Sequence, residues 1–138
     1  MNNNQTKVRG KDFYVEMVET NYFGNVDARN LDAVLDCFCD DAIFTIQSAH
    51  SVHKGKDEIR EMFINLFKNF EPKMVHKDFR HVVDVDNNRC SAQFNVELIE
   101  TTGGPEIFLT NCNFFYFNEN GKLKEVYVYM SDGQNVLG

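Results

Sequence analysis

Between residues 12 and 24 the apolar positions Tyr14, Met17, Val18 and Tyr22 fall near three- to four-residue intervals, which predicts an amphipathic helix. Asn30 stands directly before Leu31, Val34, Leu35 and Phe38, with Asp32 and Asp36 on the other side, so a capped second helix with one apolar face is expected. Residues 42–47 alternate and are rich in β-formers, predicting a short strand; the following loop, 48–55, carries His50 and His53. Ile59, Met62, Phe63, Leu66, Phe67 and Phe70 then recur with the period of a long helix whose apolar stripe must lie against something, and Pro72 ends it.

Four longer alternating segments follow, at 74–85, 89–100, 106–118 and 123–131. They are separated by Asp86-Asn-Asn88, Thr102-Gly-Gly-Pro105 and Asn120-Gly121, residue types that close hairpins. The order helix, helix, strand, helix, four strands predicts an α+β fold with a mostly antiparallel meander. A single domain is expected over residues 10–138, behind a flexible tail at 1–9. Strands this long twist and curve, and a curved sheet with helices on its concave side encloses a cone where a ligand can sit.

Composition sharpens this picture. The 138 residues include 13 Phe and 5 Tyr, more ring surface than a small solid core needs. Asp and Glu outnumber Lys and Arg by 21 to 14, a net charge of −7, and no basic run offers a footprint for phosphate backbones, which argues against nucleic acid as a partner. The longest apolar run, 126–130, is far below the roughly 20 residues that cross a bilayer, so no membrane span is expected. The polar N-terminus without an apolar stretch predicts no secretory signal and a cytoplasmic protein. Cys37, Cys39, Cys90 and Cys112 form no Cys-x-x-Cys pair; they read as small core residues of a reducing compartment, and no metal site is expected.

The run Asn30-Leu-Asp-Ala-Val-Leu-Asp-Cys-Phe-Cys-Asp-Asp-Ala-Ile-Phe44 resembles the second helix, Asp-Asp-Ala corner and first strand of the superfamily of nuclear transport factor 2, ketosteroid isomerase and the SnoaL-like polyketide cyclases. Gly55-Lys-Asp-Glu-Ile-Arg-Glu-Met-Phe63 is similar to the start of its third helix, and Phe115-Tyr-Phe-Asn-Glu-Asn-Gly-Lys122 to its final hairpin. The resemblance covers nearly all of 12–135 and implies a cone-shaped, cystatin-like fold of three helices on a curved sheet. Function does not follow from it, since the fold hosts isomerases, dehydratases, hydrolases, cyclases and plain binding modules.

Position by position, the resemblance puts Tyr22 where ketosteroid isomerase has its oxyanion-hole tyrosine, and Asn113 where it has the second, protonated-carboxyl donor. The isomerase's general-base aspartate falls on Ile46, which moves no proton, so that mechanism is not expected. His76 is the alternative base, similar in place to a histidine of scytalone dehydratase and suited to proton transfer near neutral pH. A five-residue offset along a strand places His81 on the opposite face from His76, and the family borders its pocket mouth with the loop of His50 and His53. Three alternatives stay open: Tyr22 as a core ring, Asn113 facing outward with Phe114 inward, and His76 in solvent. Asp40-Asp41 reads as a solvated turn and cap.

Matching the family's inner face places Phe94, Val96, Leu98, Asn111, Phe115, Val126, Val128 and Met130 with Asn113 around the cone as ligand-binding residues. The period of two then puts Phe108, Phe114, Tyr116, Tyr127 and Tyr129 outside, a face too apolar to leave in water, and a homodimer through it is expected. Two functions fit. One is a cofactor-independent lyase, isomerase or cyclase acting on a small, mostly apolar molecule with a carbonyl or hydroxyl, with Tyr22, His76 and Asn113 as catalytic residues. The other is a non-catalytic ligand-binding or oligomerisation module.

Overall fold

In the computed structural model, which describes residues 9–131, the expected α+β cone is present. All but one residue of the expected tail, 1–9, and the last seven positions lie outside the described residues. Helix α1 (Lys11–Glu16) runs without a break through a π-helical segment (Met17–Phe23) into α2 (Gly24–Asp27). The first helix is therefore longer than predicted, and the π-turn has a consequence for packing. Its i→i+5 bonding puts residues five apart on one face, so Met17 and Val18 are buried together with Tyr22 and Phe23.

Asn30 caps α3 (Leu31–Leu35) as expected, its Oδ1 accepting from Ala33 N at 3.2 Å. Phe38, assigned to that helix by its period, instead opens β1 (Phe38–Ile46). Asp40-Asp41 is not a turn and cap. It lies within β1, in the exposed stretch where the register to the neighbouring strand shifts between Phe38 and Ile43. The predicted loop 48–55 is largely structured: a 3₁₀ turn (Gln47–Ala49) leads into β2 (Ser51–Lys54), which pairs antiparallel with β1. The periodic helix is α4 (Gly55–Asn69), burying Ile59, Met62, Phe63 and Leu66.

The meander follows as β3 (Lys73–Asp84), β4 (Arg89–Ile99), β5 (Ile107–Phe117) and β6 (Leu123–Tyr129). The sheet order is β2-β1-β6-β5-β4-β3, and among the described residues only the β1–β6 pair is parallel. Asn88, in the β3–β4 turn with φ 56°, ties three elements together. Its amide donates to Phe117 O and Asn118 O, and its Oδ1 accepts from the Tyr14 hydroxyl of α1. This clamps the first helix over one end of the sheet.

On β4 the inward set is Cys90, Ala92, Phe94, Val96 and Leu98; on β5 it is Leu109, Asn111, Asn113, Phe115 and Phe117. The register left open at Asn113 is thus decided: Asn113 is inside at 3 % exposure and Phe114 outside at 41 %. Strand β3 departs from simple alternation. Between Lys77 and Arg80 its pairing with β4 shifts by one residue, with Asp78 at φ 59° and its carboxylate accepting from Asn95 Nδ2 at 3.0 Å. Two residues here oppose one, a β-bulge, and everything beyond it changes phase. His81 therefore shares the inner face with His76, contrary to the expectation from a regular strand.

Candidate active site

The concave face of the sheet and the helices above it leave one aromatic-walled cavity. Its walls come from Tyr22, Phe23 and Val26 of the first helix, Phe44 of β1, Phe63 and Leu66 of α4, and Met74 and His76 of β3. Phe94, Val96 and Leu98 of β4, Asn111 and Asn113 of β5, and Val128 and Met130 complete it. Of the residues expected there, Phe115 and Val126 are the exceptions. Both are fully buried and packed behind the wall rather than in it, Phe115 lying against the ring of Tyr22. Ile46 is also fully buried and does not line the cavity. His50 and His53 do not reach it; burial lowers the pKa of His53, opposed by Glu58.

The cavity is small, about 30 Å³. That is room for a water or two. A bound organic molecule takes the rest of its space from side chains, and Met74 and Met130 are the adaptable ones, being unbranched and easily repacked.

Four polar side chains meet this apolar lining. Tyr22 is buried on the π-helical segment, edge-on to Phe23, Phe38, Phe63 and Phe115. Burial, with a smaller contribution from Cys37, raises its phenol pKa well above the usual value of 10.0, so the hydroxyl stays a neutral donor. Among the described residues that hydroxyl makes no hydrogen bond. Asn111 accepts from the backbone N–H of Ser131 with its Oδ1 at 3.3 Å, which leaves its NH₂ as the free end. The Asn113 carboxamide has no protein partner among the described residues, and its Oδ1 is buried and unpaired.

His76 completes the set, held on two sides by Asp27 at the end of α2. Asp27 Oδ2 accepts from the His76 backbone N–H at 2.8 Å and Oδ1 lies 2.5 Å from the ring Nδ1. The ring stacks on Phe23 at 4.6 Å between centroids, and its side chain is 11 % exposed. With Nδ1–H donating to the carboxylate, Nε2 of the neutral ring carries the lone pair. Arg29 fixes the support, donating to Asp27 O at 2.9 Å and to Phe70 O at the end of α4. A second pair repeats the pattern nearby: Glu19 Oε2 lies 2.5 Å from His81 Nε2, and the His81 ring stacks on Phe79.

Sequence reasoning missed Asp27 and Glu19. Their partners are 49 and 62 residues away, and no local spacing marks them. Phe23, Val26, Phe44, Phe63, Leu66 and Met74 were missed as lining for the same reason. Burial pushes the Cys37 thiol up to about 11 and the Cys90 thiol up to about 12, so neither supplies a thiolate near neutral pH. Among the described residues, no three His, Cys, Asp or Glu side chains gather as metal ligands, and no helix is long and apolar enough to cross a membrane.

An unpaired buried amide costs free energy that an apolar side chain of similar shape does not. Asn113→Leu is therefore expected to raise the unfolding free energy by about 1–3 kcal/mol, read from urea denaturation with an unchanged slope. An unchanged or lower midpoint would mean that the amide is fully bonded in solution.

No curated protein sequence matches the chain. Among solved structures it is similar to a candidate polyketide cyclase from Pseudomonas putida, at 20 % identity over 80 % of this chain and 86 % of that one, with a TM-score of 0.72. It is similar to the epoxide hydrolase/cyclase-like enzyme SalBIII of pyran ring formation in salinomycin, at 15 % identity over 88 % and 93 % of the two chains and a TM-score of 0.73. A third, from Methylobium petroleophilum, is described as having a cystatin-like fold, at 11 % identity over 94 % and 82 % and a TM-score of 0.73. These likenesses establish the fold. The SnoaL-like domain profile matches residues 20–126, which hold all of the cavity wall but Val128 and Met130, the Asp27–His76 pair and nearly the whole sheet, and the chain accordingly belongs to the SnoaL-like domain family.

Proposed function

We propose that the chain is a cofactor-independent acid–base enzyme acting on a small, largely apolar carbonyl compound. The observation that carries this reading is the Asp27–His76 pair in the wall of an otherwise apolar cavity. A carboxylate that grips one ring nitrogen sets the tautomer and leaves the other as a base. In the proposed step, His76 Nε2 takes a proton from the carbon beside the carbonyl, and the electron pair moves onto the carbonyl oxygen. The Tyr22 hydroxyl and the Asn113 NH₂ donate to that oxygen. Collapse of the enolate returns the proton from His76 to the far carbon of a conjugated double bond, attacks a second carbonyl within the substrate whose new alkoxide takes that proton, or expels a β-hydroxyl that takes the proton and leaves as water. These outcomes are isomerase, cyclase and lyase chemistry respectively. The polyketide cyclase and epoxide hydrolase/cyclase-like names of the structural neighbours support a reaction in this range.

A second reading, a binding module that closes around its ligand without chemistry, is also compatible with so narrow a cavity. Native mass spectrometry of a co-purified compound separates the two. A compound that the wild type converts, and that His76→Gln binds without converting, supports the enzyme. A compound that the wild type binds and returns unchanged overturns it in favour of binding.

We also propose that the chain pairs through the outer sheet face. Phe108 is 66 % exposed, Phe114 41 % and Tyr129 45 %, and the Phe114–Tyr129 and Tyr116–Tyr127 ring pairs lie side by side on β5 and β6. Sedimentation at micromolar concentration is expected to give a dimer for the wild type and a monomer for the Phe114→Lys, Tyr129→Lys double variant. A monomeric wild type would discard the proposal.

A further inference from the structure

We propose that the substrate is an uncharged α-hydroxy carbonyl compound, with the carbonyl oxygen held by the Asn113 NH₂ and the hydroxyl donating to Asn113 Oδ1. The proposal rests on the enzyme reading above and specifies what the cavity recognises. Asn113 is 3 % exposed, no protein group satisfies its carboxamide among the described residues, and its Oδ1 is buried without a partner. A buried polar group of this kind is costly unless a ligand or water completes it. A carboxamide presents an acceptor and a donor side by side, and its complement is a donor and an acceptor on adjacent atoms. A hydroxyl on the carbon next to a carbonyl supplies that pair. The match holds whichever way the amide is turned, because either orientation offers one donor and one acceptor.

The surroundings narrow the class further. Among the described residues no Lys or Arg lines the cavity, and the group behind His76 is the Asp27 carboxyl, which offers an anion no counter-charge. An anionic substrate would lose its hydration without gaining a counter-charge. The remaining donors, Tyr22 and the free end of Asn111, both serve a neutral oxygen. Tyr22 lies close to Asn113, since its ring packs on Phe115 two residues along the same strand face. The aromatic lining suits a ring on the carbonyl side, with Phe23 and Phe94 at 4.6 Å from one another.

The test uses four probes of one shape: phenacyl alcohol, its methyl ether, acetophenone and phenylglyoxylate, titrated into the full chain and followed by the resonances of Met74, Met130 and Asn113. Phenacyl alcohol is expected to bind roughly tenfold more tightly than the methyl ether, the worth of one hydrogen bond to a buried partner, and phenylglyoxylate not to bind. In Asn113→Leu the preference for the alcohol over the ether should vanish, and acetophenone, which loses only the NH₂ bond to its carbonyl, should weaken less than phenacyl alcohol, which loses two bonds. Equal affinity for alcohol and ether in the wild type overturns the inference alone, with no variant needed. So does a preference that survives Asn113→Leu, or tighter binding of phenylglyoxylate. If none of the four moves the cavity resonances, the reading of this cavity as a ligand site fails, and this inference with it.

Discussion

Asp27→Asn is expected to lower kcat by about 10²- to 10⁴-fold on the substrate of this cavity, with KM little changed. The carboxylate accepts two hydrogen bonds, from the His76 backbone N–H and from Nδ1–H. An amide can accept at only one of these positions. If it keeps the backbone bond, its NH₂ faces Nδ1, and the ring answers by moving its proton to Nε2. The nitrogen that should take the substrate proton then already carries one. The fold should tolerate the change, because Asp27 is partly exposed and Arg29 still binds its backbone oxygen. His76→Gln is expected to fall to a similar floor, and the double variant no lower, since two residues acting as one unit are not additive. ¹⁵N spectra of the imidazole supply a readout that simple misfolding does not move: the neutral ring carries its proton on Nε2 in Asp27→Asn and on Nδ1 in the wild type. If Asp27→Asn keeps wild-type kcat, or the double variant loses the product of the two single losses, the pair does not work as a dyad.

Tyr22→Phe is the second large effect, an expected loss of about 10²- to 10³-fold in kcat. The substitution leaves the ring stack with Phe23, Phe38, Phe63 and Phe115 in place and removes only the hydroxyl, which no protein group uses among the described residues. Stability should therefore barely move, and the loss should fall on the step in which charge builds on the substrate oxygen. The pH dependence has a definite sign. Burial keeps the folded-state phenol neutral well above 10.0, whereas an unfolded tyrosine ionises near that value. The stability linked to Tyr22 is full below about pH 10 and is lost as pH rises beyond it. No fall in kcat below pH 10 should trace to Tyr22. A Tyr22→Phe enzyme with full activity would remove the phenol from the mechanism.

The resemblance put Phe94, Val96, Leu98, Asn111 and Asn113 on the inner face, and alternation carried that choice along β4 and β5, because a regular strand turns every second side chain to the same face. The same rule failed on β3. Whether a strand carries an extra residue depends on hydrogen bonds to its neighbour, here the shift between Lys77 and Arg80 against β4, and nothing in residues 77–80 alone announces it. The first helix failed in a related way. Tyr22 and Phe23 are both inward only because a π-turn brings them level with Met17 and Val18.

The sequence by itself determined the order of the elements apart from β2, the division of each regular strand into two faces and the capped α3, since each follows from residue spacing within one segment. Its resemblance to a family implied that Tyr22 and Asn113 belong near one another. Only the tertiary structure decided that Asp27 holds His76, that His81 joins the inner face beside Glu19, that Phe115 and Val126 stand behind the wall, and that the cone is nearly filled. The reason is the same in each case. Contacts across 49 or 62 residues, and the small volume left between packed rings, are properties of elements brought together and not of any one of them.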